Sequence, residues 1–223
     1  MIQRVEFGSL FSYVPYYRWK NGNYSDKIKD KLEEARQMMK SIKEIIMNKS
    51  AGSASDVIAL KVKDSLNTLP FADYFSPDTV LVPTPSSSLS KSYSQWIPRK
   101  IAAKMADNGL GKSSELLMRV KYVPRSSGQR KRSKRPTPQQ HYESFGIIKP
   151  PFDPKEIVLV DDVITRGSTV MGGVRRLAEA FPNARIRVFA AMRSISSVDK
   201  FTNVLDPRVG AVEIRDGQSF RYP

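Results

Sequence analysis

The stretch VLVDDVITRGST, Val158 to Thr169, places two adjacent carboxylates directly before a loop of small and hydroxyl residues. Its apolar start is predicted to be a strand and the residues from Ser168 onward a helix. Backbone N–H groups converge at a helix start, and the helix dipole adds partial positive charge there. Gly167 permits a tight turn and close approach of an anion. The hydroxyls of Thr165, Ser168 and Thr169 can donate as well. This is a cradle for a monophosphate. It is not a Walker loop, because no lysine follows the glycine as GKS or GKT. Asp161 and Asp162 accept hydrogen bonds well from hydroxyls. A phosphate beside paired hydroxyls describes ribose 5-phosphate, with one aspartate for each of two ring hydroxyls. A Walker B-like strand end is the competing reading of the same residues.

The twelve residues resemble the phosphoribosyl-diphosphate (PRPP) motif of the type I phosphoribosyltransferases. That pattern is an apolar strand, two acidic residues, two apolar residues, Thr, any residue, Gly, a small residue and Thr. Arg166 stands where the family more often has Thr, Ser, Ala or Lys. The stretch VLVPTPSSSLSKSYSQ is similar to a diphosphate loop following an earlier strand. Within the family, VPTP, a basic residue and then Tyr93-Ser94-Gln95 look like the competence protein F (ComF-like) branch. LLMRVKYVPRSSGQRKR resembles that branch's Leu-x-Arg followed by Gln and Arg. The likeness spans about residues 79–193. The branch's N-terminal cysteine zinc finger is absent, because the chain has no cysteine. Disulfides, thiolate metal sites and cysteine nucleophiles are excluded for the same reason.

The resemblance implies a reaction. Diphosphate leaves C1 of PRPP and a nitrogen of a nucleobase-like acceptor takes its place. Mg²⁺ is the implied cofactor, held by Asp161 and Asp162 partly through water. Thr165, Arg166, Gly167, Ser168 and Thr169 are the implied 5-phosphate site. Thr84, Pro85, Ser86, Ser87, Ser88 and Lys91 are the implied diphosphate site. Arg125, Arg130 and Arg132 would close over the leaving group as a lid. The family resemblance also allows a homodimer. His141, the only histidine, is either a general base or an exposed or structural residue.

The elements that must position these groups read as an open, mostly parallel α/β sheet with flanking helices, plus a helical N-terminal region. Residues 1–76 are expected to be helical and packed on the core. Their helices run from a cap at Ser25 to about Met47 and from about Ser55 to Leu69, with apolar residues at three- and four-residue spacing. The aromatic run FSYVPYYRW, Phe11 to Trp19, reads as a packing or docking strip. Residues 77–195 are expected to form the phosphoribosyltransferase-like core. Its strands are Val80–Val82, Leu116–Val123, Glu156–Val160 and Arg185–Met192, and its helices Trp96–Asn108 and Ser168–Phe181. A basic flexible loop is expected over about 119–143. Asp161 and Asp162 are expected at a strand's carboxyl end, where such sheets bind ligands. Gly172 and Gly173 are expected to pack closely on the sheet. Residues 196–223 read as a C-terminal extension of no assigned role.

The chain has 223 residues, 40% hydrophobic, enough to bury a core. Lys and Arg total 37 against 22 Asp and Glu, a net charge of +15. Such an excess points to an anionic partner, either nucleic acid at the basic loop or a substrate rich in phosphate. The start, MIQRVEFGSL, has no apolar run of signal-peptide length, and no stretch is long enough to span a membrane. A cytoplasmic location without membrane contact is the expectation.

Overall fold

The computed structural model describes residues 2–44, 53–86, 96–124 and 135–223. Its centre is a seven-stranded sheet. In chain order the elements are β1 (Arg4–Tyr13), α1 (Asp26–Glu44), α2 (Ala54–Asp64), β2 (Val80–Pro83), α3 (Ile97–Asp107), β3 (Lys112–Ser113), β4 (Leu117–Arg119), α4 (Pro138–Ser144), β5 (Phe145–Ile147), β6 (Glu156–Ile164), α5 (Ser168–Ala180), β7 (Arg185–Ser194), β8 (Leu205–Arg215) and β9 (Gln218–Tyr222). The sheet order is β3-β2-β6-β7-β1-β8-β9. The β3, β2, β6, β7 and β1 strands run parallel to one another. The β8 and β9 strands join antiparallel.

The expected open, mostly parallel sheet with flanking helices is the observed architecture. Each face has its own core. Leu81, Val158, Val160 and Phe189 pack with Ala35, Ile58, Val62, Ile101 and Met105 of α1, α2 and α3. On the other face, Val82, Ile157, Leu159 and Val188 pack with Val170, Met171, Val174 and Leu177 of α5. A strand covered on both sides is apolar at every position rather than at alternate ones. IVLV, Ile157 to Val160, shows this pattern and is fully buried.

The two ends of the chain depart from expectation. β1 runs through the middle of the sheet, between β7 and β8, and Phe7 pairs with both Val188 and Gly210. Residues 4–13 are therefore a strand preceding the two expected helices. Residues 205–222 are a hairpin of the same sheet rather than an appendage. It turns at Asp216-Gly217, both at positive φ (49° and 71°), as a two-residue hairpin loop requires.

The expected strand Leu116–Val123 is three residues long, Leu117–Arg119, and pairs with β5 outside the main sheet. Within the expected basic loop, residues 138–144 are α4, capped by Thr137 in a capping box with Gln140. The second helix starts after Ser53, which forms a capping box with Asp56. No helix among the described residues is long and apolar enough to cross a membrane.

Candidate functional site

The parallel strands deliver their carboxyl ends to one edge, where the residues singled out above assemble. β6 continues four residues further than expected, to Ile164. Asp161 and Asp162 therefore lie within the strand and not at its end. Neighbouring strand positions face opposite sides, so the two carboxylates are not equivalent. Asp161 is buried and 8% exposed. Its Oδ1 accepts the Asp162 amide at 3.0 Å, and Asp162 Oδ1 accepts the Val163 amide at 2.8 Å. Asp162 sits towards Tyr13, at the end of β1. Burial, and next the charge of Asp162, push the Tyr13 hydroxyl up to about 12.

After Ile164 the chain turns at Thr165 and Arg166 into Gly167, which caps α5 with φ 86°. A Cβ there would lie 2.6 Å from the Val212 side chain, so Gly167 is required by both its backbone and its packing on β8. The first bond within α5 runs from the Met171 amide to the Gly167 carbonyl at 2.9 Å. The amides of residues 168–170 precede it and have no acceptor within the helix. This is the local geometry that an anion-binding helix start needs.

Contrary to expectation, two of the three hydroxyls have partners within the protein. Ser168 Oγ is 2.6 Å from Ser219 Oγ of β9. Thr169 Oγ1 is 3.3 Å from His141 Nε2. Thr165 is exposed, and its carbonyl accepts Arg221 Nε at 2.7 Å. Arg221 also donates to the Ser194 carbonyl. Ser219 and Arg221 belong to the stretch that sequence reasoning left unassigned. The Asp216-Gly217 turn signal was the means of finding them.

Beside β6, the β2 register pairs Pro83 with Val160, and the Thr84 amide donates to the Val160 carbonyl at 2.8 Å. Thr84 thus stands level with Asp161. Its hydroxyl is buried without a hydrogen-bond partner. The Thr84 carbonyl accepts the Trp96 indole at 2.7 Å. The carbonyls of Ser86 and Pro85 accept Arg119 Nε at 3.0 Å and an Arg119 terminal nitrogen at 3.3 Å. Ser87, Ser88 and Lys91 lie outside the described residues, as do Arg125, Arg130 and Arg132.

His141 is buried, 3% exposed, on the face of α4 that packs against α5. Burial, and next the charge of Arg119, push its imidazole down to about 4. It is neutral at ordinary pH and its Nδ1 has no partner. The exposed reading of this residue is corrected by its burial. Gly172 allows α4 to approach, since a Cβ there would lie 2.5 Å from His141 Cβ and 2.7 Å from the Tyr142 amide nitrogen. Gly173 faces Leu159 of the sheet, as expected, and Gly172 does not.

No family model matches this chain, and no curated protein matches it either. Solved structures do overlap with it. A hypoxanthine-guanine phosphoribosyltransferase from Bacillus anthracis shares 13% identity at TM-score 0.34, with 76% of each chain covered. A hypoxanthine phosphoribosyl transferase from Trypanosoma cruzi shares 11% at TM-score 0.32, covering 77% of this chain and 72% of its own. A hypoxanthine phosphoribosyltransferase from Staphylococcus aureus shares 10% at TM-score 0.33, covering 78% and 83%. Function lives in sites grafted on folds.

Proposed function

We propose that the chain is a PRPP-binding phosphoribosyltransferase, passing the 5-phosphoribosyl group to a nitrogen acceptor of nucleobase type. The observation that supports this most is the setting of VLVDDVITRGST: strand, left-handed Gly167, then the amide-rich start of α5. The 5-phosphate sits on the backbone of residues 165–169. The sugar ring extends from there towards Asp162, which accepts from its hydroxyls. The diphosphate lies across Thr84, Pro85 and Ser86, with the buried Thr84 hydroxyl as a donor. The same reading assigns Ser87, Ser88 and Lys91 to the diphosphate, and Arg125, Arg130 and Arg132 to the leaving group.

Among the described residues no cluster of three or more potential ligands could hold a metal by itself. Two neighbouring carboxylates do suit a Mg²⁺ ion that keeps waters and is bound mainly by substrate oxygens. Asp162 would hold it directly and Asp161, on the opposite side of the strand, only through water. When bound, the ion would offset the charge of the departing diphosphate. The chain's own residues fix the ring and both phosphate groups in line with the acceptor. The C1–oxygen bond breaks with its electron pair leaving on diphosphate. The acceptor nitrogen forms the new bond to C1 and loses its proton. Release of diphosphate from PRPP, measured across a panel of bases, tests this reading and names the acceptor. ComF-like kinship and a cytoplasmic, dimeric protein belong to the same proposal.

A second reading has its own observation. Tyr17 is 66% and Tyr16 48% exposed just beyond β1. The guanidinium of Arg18 lies 5.5 Å from the Tyr17 ring and that of Arg36 4.7 Å from the Tyr16 ring. Exposed aromatics beside arginines on a +15 chain suit stacking on single-stranded nucleic acid. In that reading PRPP regulates binding rather than being consumed.

A further inference from the structure

The two loops assigned above to phosphate groups share one construction. Each has one or two carbonyl oxygens taken by a partly buried arginine from a distant part of the chain. Arg119 holds the carbonyls of Pro85 and Ser86. Arg221 holds the carbonyls of Thr165 and Ser194.

Neither guanidinium forms an ion pair among the described residues. Arg119 instead stacks over the Phe145 ring at 4.2 Å and bonds the Ser144 hydroxyl. Arg221 lies over the Phe7 ring at 5.6 Å. Of the buried arginines, Arg187 pairs with Asp73 and Glu156 and Arg193 with Asp206, while Arg175 bonds the Ile2 carbonyl and Gln3 Oε1. A desolvated cation without a carboxylate is costly to keep. Two such cations, one behind each loop, suggest a ligand with two separate anionic ends.

The peptide geometry gives the same direction. In a trans peptide the carbonyl and the following N–H point opposite ways. An arginine that fixes the carbonyls of Pro85 and Thr165 on one side turns the amides of Ser86 and Arg166 to the other. The guanidinium at each loop supplies positive charge that no carboxylate among the described residues pairs.

We propose that Arg119 and Arg221 are positioning residues of two separate anion subsites, Arg119 for a diphosphate at Thr84–Ser86 and Arg221 for a monophosphate at Thr165–Thr169. The inference rests on the PRPP reading and adds that the two ends of the ligand are governed independently. Inorganic diphosphate with Mg²⁺ and ribose 5-phosphate are the probes, each titrated by calorimetry into the full chain. Arg119→Gln should weaken diphosphate about tenfold or more and leave ribose 5-phosphate within about twofold; Arg221→Gln should do the reverse. Should a glutamine variant fail to fold, the lysine variant at the same position carries the same comparison. It keeps the charge but cannot hold two carbonyls as the planar fork does. Equal losses for both probes, or no loss, in a wild type that binds both overturn this inference alone. A wild type that binds neither probe removes the PRPP reading and the inference with it.

Discussion

The Nε2 atom of His141 lies 3.3 Å from the hydroxyl oxygen of Thr169, joining α4 to the loop proposed to hold a phosphate. Its imidazole is pushed from an ordinary 6.5 down to about 4, first by burial and then by Arg119. The unfolded chain takes up this proton near the ordinary value, and the folded chain only near the lowered one. Between them the unfolded state binds more protons, so stability rises with pH. The contribution is complete above about 6.5 and is eroded as the pH falls towards about 4. Asp56, Glu179 and Glu213 are held below the usual carboxylate range by hydrogen bonds to Ser53, Tyr142 and Arg4 respectively, and act at lower pH. Thermal melts are expected to show the midpoint dropping through this window. His141→Gln should flatten the drop; an unchanged slope would count against the assignment.

The α4–α5 contact itself is tested at Gly172. An added Cβ would meet backbone atoms of α4 at 2.7 and 2.9 Å, which cannot rotate away. Overpacking of this kind costs about 1–3 kcal/mol, partly offset by the better helix propensity of alanine. Gly172→Ala should therefore lower the stability read from urea unfolding. A more stable variant would contradict the packing.

Arg193 on β7 pairs with Asp206 beside β1, the two side chains being 4% and 12% exposed. Its guanidinium also bonds Ser9 Oγ at 3.1 Å. Asp206→Ala strands a buried charge, at a cost of about 3–5 kcal/mol. Chemical denaturation should show that loss, and Arg193→Met added to it should recover a large part.

These contacts also mark what could be read from the sequence. The α5 helix, the IVLV strand and the Pro83 strand end were legible because apolar runs, glycine and proline act locally. β1 was not. RVEFGSLFSY mixes glycine and serines into a strand buried on both faces, and each has a partner far along the chain. A Cβ on Gly8 would meet the Phe71 ring at 2.6 Å. Ser9 serves Arg193, and Ser12 donates to the Asn203 carbonyl at 2.7 Å. The motif named the phosphate loop, but not that Ser219 and Arg221 would support it. Those two are supplied by a hairpin whose place beside β1 depends on β1 being a strand.

The exposed tyrosines give a separate expectation. If they stack on bases, Tyr17→Ala should weaken binding of a single-stranded oligonucleotide by about 1–3 kcal/mol. Fluorescence anisotropy should also show affinity falling steeply with salt. Salt-insensitive or absent binding would remove the nucleic-acid reading and leave the transferase.

The central claim is that residues 158–169 hold a ribose carrying phosphate. Calorimetric titration of PRPP with Mg²⁺ into the wild-type chain and into Asp162→Asn tests it most directly. The account predicts saturable binding by the wild type and none by the variant at the same concentrations, with both equally folded. A folded wild type that shows no binding, or a variant that binds equally well, contradicts it.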